Sequence, residues 1–182
     1  NTAVIFERLQ RYDDATRYDR QILASNDSDA ELKRTAMYRI AEIAYNRENW
    51  NLTIREMRAF IQRYERDAAA GELVVQAYWR ISQARKEMRQ TRDYNRSLQD
   101  VVTAFGRTGQ QPRSIAAEYA ANAQFLLTNE TMSEFESFAI TPGRPATLEA
   151  YVNTVRQQIT AGGQTATRFA EAFTSVMPYQ RP

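Results

Sequence analysis

Between Ala36 and Tyr64, apolar side chains recur at steps of three and four, interrupted once by a polar run at Asn46–Asn49. Before the interruption Ala36, Ile40, Ala41, Ile43 and Ala44 fall on one helical face; after it Trp50, Ile54, Met57, Ile61 and Tyr64 do, with Phe60 widening the stripe. The pattern predicts two amphipathic helices joined by a short turn. Small residues of the first would face bulky residues of the second, which lets the pair close as a hairpin.

The pattern returns further along. Val74, Ala77, Tyr78, Ile81, Ala84 and Met88 mark one helix, and Tyr94, Leu98, Val101 and Phe105 the next, with Thr91 expected as its N-cap. QAYWRIS matches TAMYRIA and DYNRSLQDVVTAF matches NWNLTIREMRAFI; setting Ile81 on Ile40 and Tyr94 on Trp50 needs a connection three residues longer. Upstream, Ile5, Leu9, Tyr12, Ala15, Ile22 and Leu23 predict one long helix, or two short ones meeting near Arg11 and forming an incomplete first hairpin. Ser28 with Glu31 reads as a capping box for the helix that follows. A calcium loop at Asn26–Asp29 fails because Leu32 stands where the sharp-turn Gly belongs. Gly71 is expected to close the helix before it.

Downstream, Pro112 suits the first turn of a new Ala-rich helix over 113–127. A break is expected near Thr128–Glu130, where Thr131 and Glu134 form a capping box for a short helix carrying Met132, Phe135 and Phe138. Thr141–Pro145 reads as a turn. Two closing helices are expected, one with Leu148, Tyr151, Val152, Val155 and Ile159, the other with Phe169, Ala172, Phe173 and Val176, separated by Gly162–Gly163. Residues 112–182 hold 5 basic and 6 acidic side chains against 19 and 16 before them. A charge-poor end fits a cap on an open array, and also a surface for a partner or a second copy.

The placement of these residues resembles the tetratricopeptide repeat. Ile40–Ala41 stands at the family's Leu-Gly, Ala44 at the position after them, Trp50 at the aromatic opening the second helix, and Met57 at its Tyr or Phe. Thr53 and Phe60 replace small residues, and Glu65 stands where Pro is common. The resemblance implies an all-α fold in which antiparallel helical hairpins stack as a short right-handed TPR-like solenoid over residues 1–110. Residues 111–182 would add an Ala-rich helix and a C-terminal helical cap, packed on the first part as one continuous array. AMYRIA with AFIQRY, ANAQFLL with FESF, and FAEAF with Pro178 and Pro182 are similar to envelope proteins of this family in Gram-negative bacteria, the delta-proteobacterial gliding-motility and outer-membrane assembly types. That likeness implies a periplasmic or outer-membrane-associated scaffold with protein partners in a larger complex; a cytoplasmic one is the alternative. By the same resemblance the groove positions are Tyr38, Arg39, Glu42, Tyr45 and Asn46 in one unit and Trp79, Arg80, Gln83 and Lys86 in the next. Tyr38 and Trp79 could equally pack between hairpins, whereas Trp50 is assigned to packing.

Composition narrows the chemistry. With no His and no Cys, imidazole catalysis, disulfides and thiolate metal sites are excluded. No nucleotide-binding or nucleophile-elbow motif occurs. The carboxylates of Asp13–Asp14, and of Glu134 with Glu136, point apart on a helix. No catalytic residues, metal, cofactor or small-molecule substrate are therefore expected. Net charge is only +2, so the pI near 9.0 says little about nucleic acid. Tyr78-Trp79-Arg80 and the run Arg85–Arg96 could stack on bases and contact phosphates, but Glu87 and Asp93 dilute the run, and nucleic acid ranks below protein. No apolar run reaches the length of a membrane span. The initial Asn suggests a processed start.

Overall fold

The computed structural model describes residues 2–137 and 148–176, and their regular structure is helical throughout. The elements are α1 (Thr2–Arg8), α2 (Tyr12–Ala24), α3 (Ala30–Asn46), α4 (Trp50–Tyr64), α5 (Gly71–Glu87), α6 (Thr91–Thr108), α7 (Ile115–Ser137) and α8 (Leu148–Val176), with a 3-10 turn at Ala68–Ala70. The expected turn at Thr141–Pro145, together with Phe138, Pro178 and Pro182, lies outside the described residues. Two compact units divide the chain, Asn1–Ala120 and Ala121–Pro182, the division falling inside α7.

In the first unit, α1/α2, α3/α4 and α5/α6 are helix pairs joined by the same turn. Gln10, Glu48 and Arg89 each adopt a left-handed backbone, with φ of 57°, 56° and 56°. One residue on, the amides of Arg11, Asn49 and Gln90 donate to the carbonyls of Phe6, Ala44 and Arg85 at 2.8, 3.0 and 3.0 Å. These bonds satisfy carbonyls that a helix end leaves unpaired, the device normally built on glycine. Here three non-glycine residues carry it at corresponding positions, so the first two helices are a hairpin like the others rather than one long rod.

Two starts differ from expectation. Asp29, not Ser28, caps α3: its extended backbone (φ −68°, ψ 166°) lets its carboxylate accept from the Leu32 amide at 2.6 Å. Thr91 is the first residue of α6 rather than its cap, and Gln90 before it makes no side-chain cap bond. Asn49 caps α4, accepting from the Leu52 amide at 3.2 Å.

In the first unit α1 to α6 pack mainly on their neighbours in sequence, and α3 also reaches α5. The main core lies where α3, α4 and α5 meet. Tyr38 and Ala41, Met57, Phe60 and Ile61, and Val74, Ala77 and Ile81 close on one another with Ala70. Phe60 is fully buried, its ring 5.4 Å from Tyr38 edge-on and 5.1 Å from Tyr64. The bulk that departs from the repeat pattern is thus the centre of the core; burying such a ring contributes about 2–3 kcal/mol. Gly71 opens α5 instead of closing α4. Its φ of −52° is ordinary for a helix, but a Cβ there would run into the Gln110 amide beside Thr108. Close approach of the α6 end, with the Thr108 Cβ 3.2 Å from where a side chain would begin, and not an unusual backbone, is what leaves little room there.

The remaining helices are longer than expected. Pro112 lies before α7, and Ser114 takes the cap, its hydroxyl accepting from the Ala117 amide at 3.2 Å. α7 runs through Thr128–Glu130 without a break; the Thr128 hydroxyl donates back to the Gln124 carbonyl at 2.9 Å, a bond an interior helical Thr can make. α8 likewise runs unbroken through Gly162–Gly163. Glycine weakens a helix, and among the described residues the glycine that turns left-handed is Gly109, φ 62°, at the end of α6. In the second unit Phe125, Val152 and Ile159 stand exposed.

Candidate functional site

Residues 38, 42 and 45 stand in line on α3, and 76, 80 and 83 on α5, because positions three and four apart share a helical face. Side chains bridge these two rows. The Arg80 guanidinium donates to the Glu42 carboxylate at 2.9 Å and lies 4.6 Å above the Tyr45 ring. Tyr45 in turn meets Trp50 edge-on at 5.5 Å. The Tyr38 hydroxyl donates to the Gln76 side-chain oxygen at 3.4 Å. Beyond them, Trp79 stacks on Tyr119 of α7 at 5.5 Å, the rings 24° apart.

The structure divides the expected groove residues. Tyr38 is only 6% exposed and belongs to the core, because its ring fills the space beside Phe60. Arg39 is also buried; it forks onto Asp19 of α2, Nε to Oδ2 at 2.8 Å and Nη2 to Oδ1 at 2.7 Å. Neither offers a surface to a partner. Glu42, Tyr45, Trp79, Arg80 and Gln83 are half-buried along the bridged rows, and Asn46 and Lys86 are exposed at their ends. Trp50 is half-buried against Tyr45. Sequence reasoning missed Asp19, Gln76 and Tyr119. Asp19 had a signal: it sits four residues after Ala15 and three before Ile22, a carboxylate in the buried stripe.

The two arginines occupy the same place in consecutive hairpins, since Arg39 precedes Ile40 as Arg80 precedes Ile81. The residues at matching positions of the preceding hairpins differ. The turn correspondence sets Asp19 on Met57, 38 residues along like Gln10 and Glu48. A carboxylate holds Arg39 inside the protein; Met57 at the matching position carries no charge, and Arg80 pairs with Glu42 and covers the Tyr45 ring instead. Burial pushes the Asp19 carboxyl up from its ordinary value while the hydrogen bonds and charge of Arg39 oppose it. Burial also raises the Tyr38 phenol, helped by the charge of Glu42 and opposed by Arg80. Burial works against the Arg80 charge, yet the bond to Glu42, with Tyr38 and Tyr119 nearby, leaves its pKa raised.

Clefts repeat as well. One of about 810 Å³ has Ile40, Ile43 and Ala44 of α3 as its floor and α2 and α4 as walls, with Arg17, Arg20 and Arg47 at its rim. A second, of about 320 Å³, lies between α4, α5 and α6, where Ile81 repeats Ile40 and Arg85 replaces Ala44. The longer Arg85 side chain occupies room that the alanine leaves open. Asp13 pairs with Arg47 at 2.6 Å, and Asp14 lies between Arg11 and Arg17 at 2.6 and 2.5 Å, so these carboxylates are held by cations. Among the described residues arginine supplies the cation of every ion pair, and no helix is long and apolar enough to cross a membrane. In comparisons with known proteins, no family model and no curated protein matches this chain.

Proposed function

We propose that this chain is a non-enzymatic scaffold of the tetratricopeptide type, which holds a protein partner on the α3–α5 face within a larger complex. The observation that carries the reading is the row of aromatic, amide and charged side chains at Tyr45, Trp79, Gln83 and Lys86. Large planar rings beside hydrogen-bonding groups are the side chains that anchor protein interfaces. Turns repeated at Gln10, Glu48 and Arg89 support a stack of hairpins, the architecture that offers such a face. A place in the bacterial cell envelope rests on the likeness of AMYRIA, AFIQRY and FAEAF to envelope proteins alone.

The test is affinity capture with wild type, with Trp79→Ala plus Lys86→Glu, and with Arg17→Ala on the α2 wall as control. Partners retained by wild type and the control should be lost from the double variant. Equal recovery by all three, with helical content unchanged, would remove the α3–α5 face from consideration.

A second reading, self-association, is favoured by the exposed Phe125, Val152 and Ile159 in the second unit. Light scattering of the isolated chain separates it from capture of a different protein.

A further inference from the structure

We infer that Arg80 is a latch across the hairpin boundary, and that this latch sets how open the α3–α5 face stands. Three observations converge on it. Arg80 spans from α5 to α3 and engages two residues there at once, the Glu42 carboxylate at 2.9 Å and the Tyr45 ring at 4.6 Å. Both members of the ion pair are largely sheltered, at 25% and 30% exposure, so the pair is screened less than one on open surface. One residue before it, Trp79 stacks on Tyr119, tying α5 to the start of α7.

The preceding hairpin shows why this arginine is a latch and Arg39 is not. Arg39 is locked to Asp19 inside the protein, where release would leave a charge buried without a counter-ion. Met57 stands at the place corresponding to Asp19 and brings no charge, and the ion pair and ring contact that Arg80 makes on the neighbouring hairpin lie on the accessible face. An arginine there can let go and find water. The planar guanidinium suits the double task, since it hydrogen-bonds in its plane while its face covers a ring. Release would loosen the outer edge of the α3–α5 face, where Trp79 lies beside Arg80, while Tyr38, Phe60 and Val74 keep the core closed beneath.

The inference concerns the isolated chain and needs no partner, so it stands or falls independently of the scaffold reading. The experiment uses Trp50→Phe as parent, leaving Trp79 as the one tryptophan, and measures quenching of its fluorescence by acrylamide. Glu42→Gln and Arg80→Gln should each raise the quenching constant by about twofold, the signature of local opening at unchanged helical content. Their combination should raise it no further, because both remove one latch. Constants equal to the parent's in both single variants, or increases that add in the double variant, would overturn the inference. So would loss of helical signal in Glu42→Gln, since a latch is dispensable for folding. Amide hydrogen exchange gives the second readout: protection should fall in α3 and α5 and hold in α2.

Discussion

Asp19 and Arg39 meet inside the protein as a two-pronged ion pair, at 2.7 and 2.8 Å, on helices of successive hairpins. The carboxylate is wholly buried and the guanidinium nearly so. Removing one partner strands the other. Asp19→Asn should cost about 3–5 kcal/mol in chemical denaturation, because Arg39 keeps its charge and loses its counter-ion. Asp19→Met with Arg39→Leu should recover most of that loss, since Met57 fills the corresponding place in the next hairpin. A cost below about 1 kcal/mol for Asp19→Asn would show that the pair is not insulated from water.

The three left-handed turn residues are a reserve of stability. Glu48 and Arg89 hold φ of 56° with side chains that disfavour it. Each change to glycine should stabilise the chain by about 0.5–1 kcal/mol, the relief of backbone strain exceeding the added freedom of the unfolded chain. Thermal melts of Glu48→Gly, Arg89→Gly and the double variant test this. The two effects should add because the turns belong to different hairpins. A lowered melting temperature in both single variants would contradict the left-handed assignment.

Alkaline stability should depend on Tyr38. Its phenol sits above its ordinary value, chiefly through burial, so the folded chain holds that proton more tightly than the unfolded chain does. The contribution is complete below the ordinary phenol value of about 10 and is lost as pH rises through the folded one. Wild type should therefore lose stability above that pH more steeply than Tyr38→Phe. Parallel curves from denaturation at stepped pH would place the phenol in water rather than beside Phe60.

α8 offers a simpler test. A Cβ at Gly163 meets nothing within 4 Å, and the backbone there is helical. Gly163→Ala should therefore raise helix stability by about 1 kcal/mol, seen as slower amide exchange along α8. Faster exchange would restore the two-helix division that the glycine pair suggested.

Much of this was legible in the sequence, and the exceptions have physical causes. The helices of residues 36–64 and 74–105 could be read because their apolar spacing matches the helical period over several turns. The ends could not be read as well. Asp29 and Ser28 are both good caps, and only the backbone decides which carries its oxygen over Leu32. Gly71 and Gly162–Gly163 looked like stops, yet a glycine in a helix is silent until its φ or its neighbours are known. Of the site, Glu42, Tyr45, Trp79 and Arg80 came from the repeat register. The same register placed Tyr38 and Arg39 on the surface, where periodicity marks a face but not what covers it. Asp19 draws Arg39 inside from 20 residues away, and no local pattern carries that information.

The packing of α1 to α6 mainly on their neighbours in sequence bears on how the first unit is made. Contacts between residues close in sequence demand little loop closure, which favours rapid folding. The α3/α4 hairpin can gather Phe60 and Met57 against Tyr38 and Ala41 while α5 is still emerging from the ribosome. Arg39 would then find Asp19 already synthesised, whereas Phe60 must wait for Val74 and Ala77 to seal the core. Synthesis from the N-terminus thus builds this protein in the order in which its parts come to depend on one another.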